Sequence, residues 1–81
     1  MAAKSQNHLI DDLRAEGIVG APRERAPWMA WLADGSGRFL SVHDGRVELW
    51  LSRRPYAVNE RLDSLPLEQA TTETVAAMVT A

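Results

Sequence analysis

The stretch Arg38-Phe-Leu-Ser-Val-His-Asp-Gly-Arg-Val-Glu-Leu-Trp-Leu-Ser52 decides the fold. Two alternating runs flank Asp44-Gly45, a dipeptide suited to the positive φ angles of a type I′ hairpin turn. A two-residue loop fixes the register, so His43 pairs with Arg46, Val42 with Val47, Ser41 with Glu48, Leu40 with Leu49 and Phe39 with Trp50. Side chains alternate across a sheet, and Leu40, Val42, Val47, Leu49 and Leu51 therefore form one apolar face. The opposite face carries His43, Arg46, Ser41 and Glu48, with the aromatic pair Phe39 and Trp50 at its far end. Aromatic groups on an otherwise polar face need a cover.

Upstream, Trp28-Met-Ala-Trp-Leu-Ala33 is bulky and apolar and ends at the turn Asp34-Gly-Ser-Gly37, which predicts a first strand joined to Phe39–His43 by a second hairpin. Loop length decides which side of that strand is buried. A four-residue loop sends Met29 and Trp31 into the core with Leu40 and Val42, whereas a three-residue loop sends Trp28, Ala30 and Leu32. Either way at least one tryptophan joins Phe39 and Trp50. Before this strand, Ile18 to Pro27 contains two prolines and no period, and reads as an extended connector. A first helix, capped by Ser5 or Asn7, presents Leu9, Ile10 and Leu13 as one stripe, and Gly17 stops it with Ile18 folding back on Leu13.

Downstream, Pro55 ends the third strand and Tyr56 to Ser64 reads as a second connector. Pro66 suits a first helical turn, and Leu67, Ala70, Val75, Met78 and Val79 recur near helical spacing. Thr71 followed by Thr72-Glu73-Thr74 offers a second cap, giving a short turn at 66–70 and a helix from 72. The expectation is an α+β, two-layer domain spanning 1–81: helix, three-stranded antiparallel β-meander, C-terminal helix (α-β-β-β-α). This order resembles in topology the double-stranded-RNA-binding domain, whose last helix opens on lysines that grip phosphate. The matching region here, Leu65-Pro-Leu-Glu-Gln-Ala-Thr-Thr-Glu73, holds two glutamates and no basic residue, so the family is not assigned.

With 81 residues and no cysteine, the chain has room for one core and no disulfide or thiolate metal site. A cytoplasmic location is expected, since no signal-peptide pattern opens the sequence and no apolar run approaches the roughly 20 residues of a membrane span. Eight arginines against one lysine, with abundant alanine, read as the coding bias of a GC-rich bacterium or bacteriophage.

His8, Asp11 and Asp12 lie within one helical turn, but no second histidine or cysteine completes a metal site, and a solvated helix face accounts for them. His43 sits beside a turn that demands Asp44. Gly35-Ser36-Gly37 is too short for a phosphate loop, and no serine occupies a nucleophile setting. Catalytic residues, metal and cofactor are therefore not expected, and neither is enzymatic activity.

Three tryptophans, one phenylalanine and one tyrosine are more than a two-layer domain of this size readily hides. Residual apolar area marks an interface, and tryptophan and arginine favour interface centres. The candidate binding residues are Phe39, Trp50, Arg46, Trp28, Trp31, Arg53 and Arg54. The expected function is protein–protein interaction, with a partner or a second copy of the chain (homodimer), as a small accessory or inhibitor factor. Nucleic acid, gripped by an arginine rim at Arg53-Arg54, is the alternative, opposed by a net charge of −2.

Overall fold

A computed structural model describes residues 6–52 and 59–81. The elements run α1 (Gln6–Ala15), β1 (Val19–Arg23), β2 (Ala26–Leu32), β3 (Arg38–His43), β4 (Arg46–Leu51), β5 (Glu60–Pro66), a 3-10 turn at Leu67–Gln69, and α2 (Thr72–Thr80). The five strands form one antiparallel sheet in the order β1-β2-β3-β4-β5. The α+β class stands, but the three-stranded meander is wrong, and with it goes the topological likeness to the double-stranded-RNA-binding domain.

Both extra strands lie at sheet edges: β1 falls inside the segment read as the first connector, and β5 begins in the second and runs on through Pro66, the residue expected to open a helical turn. β1 contains Pro22, which an edge tolerates because a proline needs no partner for a missing N–H, and its pairing with β2 shifts register twice. β5 is charged at three of its seven residues, lacks apolar alternation, and shifts against β4 where Leu62 is inserted between Asp63, opposite Leu49, and Arg61, opposite Trp50. Charge, proline and bulges blunt an exposed edge against further pairing. They also erase the alternation by which a strand is recognised.

The central hairpin follows its turn. Asp44 and Gly45 take φ of 56° and 75°, and the pairs run from His43↔Arg46 through Phe39↔Trp50 to Arg38↔Leu51. Five residues, 33–37, separate β2 from β3, and Ala30 opposes Leu40. This loop shares its odd parity with the three-residue alternative, so Ala30 and Leu32 are buried while Trp31 faces the other way. Trp28 departs from that expectation: it is only half-buried and stacks on His43, ring centroids 5.3 Å apart.

Both helices cover the same side of the sheet. Leu9, Ile10 and Leu13 of α1 and Val75 and Val79 of α2 cluster with Val19, Ala30, Leu32, Leu40, Val42, Val47 and Leu49. Gly17 ends α1 at φ 78°, its N–H donating to Arg14 O and that of Ile18 to Leu13 O, each at 3.0 Å, a Schellman stop. Thr71 and Thr74 close a reciprocal capping box at the start of α2. Arg38 ties the far end of α2 to the sheet: its Nη1 donates to Val79 O at 2.9 Å, Nε to Ser36 Oγ at 3.0 Å, and Nη2 to Asp34 Oδ2 at 3.0 Å.

Candidate functional site: a cation-flanked aromatic row on the open sheet face

Because the helices share one side, the other side of the sheet is left to the outward residues of each strand. Strand register brings Trp31 of β2 opposite Phe39 of β3, and Phe39 opposite Trp50 of β4. Trp31 meets Phe39 edge-on, 5.5 Å between centroids and 71° between planes, and Phe39 lies nearly parallel to Trp50 at 6.3 Å and 7°. Such pairs hold each other in place beyond simple burial. Phe39, between the two indoles, is 4 % exposed, whereas Trp31 and Trp50 are half-buried and reach the surface.

An arginine stands at each end of the row. The guanidinium carbon of Arg23, on β1, lies 5.8 Å from the Trp31 ring centroid, within cation–π range. Arg61, on β5, is the residue opposite Trp50, and its Nη1 bonds Glu48 Oε2 at 3.1 Å. Glu48 also accepts from Trp50 Nε1 at 3.3 Å, which fixes the indole against the sheet. The sequence Arg23, Trp31, Phe39, Trp50, Arg61 thus takes one side chain from each of the five strands. Trp31, Phe39, Trp50 and Arg61 lie in line across four strands, three spacings of about 4.8 Å or roughly 14 Å, whereas the backbone of Arg23 pairs with Ala26 and only its guanidinium reaches back over Trp31.

Charge is divided between the two layers. The helical side carries Asp11, Asp12, Glu16, Glu68 and Glu73 against Arg14 and Arg38, and register puts Glu60 and Asp63 on that side as well, opposite Leu51 and Leu49. Among the described residues, the open face presents Arg23, Arg46 and Arg61 against Glu48. Arg46 lies at the hairpin end of that face and its Nη2 donates to Ser64 Oγ at 2.6 Å. A chain of net charge −2 therefore turns its cationic side outward from the sheet.

Of the expected binding residues, Trp31, Phe39, Trp50 and Arg46 share the open face, and Trp28, stacked on His43, is not part of the aromatic row. Arg53 and Arg54 lie outside the described residues, as does Tyr56. Arg61 and Leu62 were missed: Leu62, at the β5 bulge, is 43 % exposed and is a large apolar side chain left in water. Among the described residues no group of three or more histidines, aspartates or glutamates is placed to hold a metal ion, and no helix is long and apolar enough to cross a membrane. No protein-family model, curated protein or solved structure matches the chain.

Proposed function

We propose that this chain is a non-enzymatic interaction protein that takes a protein partner on its open sheet face. The observation that carries the reading is the Trp31–Phe39–Trp50 row, two surface-reaching indoles held by a buried phenylalanine on the side of the sheet that neither helix covers. Rigid aromatic groups lose little conformational entropy on binding and dominate interface energetics. The blunted edges support the same reading, since a partner is turned away from strand addition and toward the face. Cellular role, as an accessory or inhibitor factor, follows from what that partner is.

The test is comparative capture from a lysate of the natural host. Wild type, a Trp31→Ser/Trp50→Ser double variant and a helix-side control, Glu73→Lys, serve as baits after circular dichroism has shown each to be folded. A protein retained by wild type and Glu73→Lys but lost with the double variant is the expected result. Retention by all three baits, or by none, would remove the reading.

A further inference from the structure

The geometry points to the chemistry of the partner: we infer that the row binds an extended acidic segment of another protein, with apolar side chains in the middle and a carboxylate toward each end. This rests on the interaction reading above and deepens it. Three observations carry it.

The first is charge. Among the described residues, the strands present Arg23, Arg46 and Arg61 on the open face against one carboxylate, Glu48, while the carboxylates of both helices and of Glu60 and Asp63 lie on the helical side. Two copies meeting through this face would oppose cation to cation around their aromatic centres, which disfavours a homodimer there and favours an acidic partner.

The second is length. From Arg61 to Trp31 the row crosses four strands, roughly 14 Å, and the Arg23 guanidinium lies a further 5.8 Å from the Trp31 ring, so an extended segment rising about 3.3 Å per residue needs about six residues to run its length. Between those ends the partner meets Trp31, Phe39 and Trp50, which calls for apolar side chains there.

The third separates protein from nucleic acid. The described arginines of the face are three and stand apart, Arg23 and Arg61 at the ends of the aromatic row and Arg46 at the hairpin end, and do not line a continuous phosphate track. One Trp31 face is taken by Arg23 and the Phe39 ring is buried, leaving little open ring surface for successive bases. Two or three phosphate contacts give only weak single-strand binding at physiological salt.

The test is a titration of the 15N-labelled protein, followed through its indole N–H signals, with three probes. Two are seven-residue blocked peptides with a Leu-rich centre, one with Glu at both ends and one with Lys at both ends. The third is an eight-nucleotide oligothymidine. The Glu peptide is expected to shift the Trp31 and Trp50 indoles at millimolar concentration while the Lys peptide binds at least about tenfold more weakly, a ratio of the size that two exposed ion pairs and their reversal supply. Glu48→Gln, which removes the face's own carboxylate and keeps an acceptor for Trp50, should tighten the Glu peptide several-fold. Arg23→Glu/Arg61→Glu should reverse the preference.

Equal shifts with both peptides would overturn the acidic-partner inference while leaving the open face as a binding surface. Silence of both indoles with all probes would overturn both. Tighter binding of oligothymidine than of the Glu peptide, lost in Arg23→Glu/Arg61→Glu, would make nucleic acid the partner instead.

Discussion

Arg38→Ala tests how the helical layer is held to the sheet. The Arg38 side chain, 23 % exposed, makes a charge-assisted bond of 2.9 Å to the Val79 carbonyl in the last turn of α2, where the backbone carbonyls lack helical partners. Hydrogen bonds to charged groups contribute about 1.5–3 kcal/mol, and the partial exposure here reduces that to roughly 1–2 kcal/mol. The Asp34 side chain is half exposed, so its ion pair with Arg38 orders the loop more than it stabilises the fold. For a chain of this size, with a urea m-value of about 1 kcal/mol/M, the midpoint should fall by roughly 1–2 M. Amide exchange should accelerate through α2 more than in β3 and β4. Arg38→Lys keeps the charge but not the fork and should lose an intermediate amount. An unchanged urea midpoint with unchanged exchange in α2 would refute the claim that this contact anchors the helix.

Gly45→Val should cost about 1–3 kcal/mol, read by thermal melting, because it forces a β-branched residue to φ 75° where open space rules out a steric clash as the cause. Thr71→Ala removes the acceptor for the Thr74 N–H and should cost about 1 kcal/mol, with the loss confined to fraying of α2 in amide exchange. Bonds from the Ser36 side chain and N–H, and then Arg38, hold the Asp34 carboxyl below its ordinary value of 3.8. A lowered folded value means that this contribution is present above the ordinary value and fades as pH falls through the lowered one. Wild type should therefore lose stability in that acid window relative to Asp34→Asn, checked by urea midpoints across the window.

The hairpin was legible because both residues of its loop are constrained: Asp44 and Gly45 are suited to positive φ, and a two-residue loop leaves a single register. The short turn and the helix from Thr72 were legible for a similar reason, since Thr71 and Thr74 form a local pair. Strand β2 was legible as an element but not in its face. Loop parity decides that, and Asp34-Gly-Ser-Gly37 does not reveal that Ala33 also belongs to the connection.

The edges were hidden for a physical reason. A strand such as Glu60–Pro66 takes its extended shape from the hydrogen bonds β4 offers, not from any apolar pattern of its own, and four of its seven residues are exposed. Arg61 therefore passed as one more solvated arginine. Placing it beside Trp50 requires knowing that Leu62 is an inserted residue, and nothing local in Glu60-Arg-Leu-Asp63 marks it. Arg23 falls in the proline-containing segment that reads as a connector. Its position over Trp31 became visible only once Pro22 was seen to sit within a strand.

The central claim is that binding resides in the aromatic row. The most direct measurement is the calorimetric affinity of the captured partner for wild type, Trp50→Ala and Trp31→Ala, with thermal melts of each variant alongside. Loss of roughly 2 kcal/mol, about 30-fold in Kd, is expected for at least one indole while the variant remains folded and cooperative. Unchanged affinity in both folded variants would contradict the claim, and so would unfolding of both variants, because the indoles would then be part of the core.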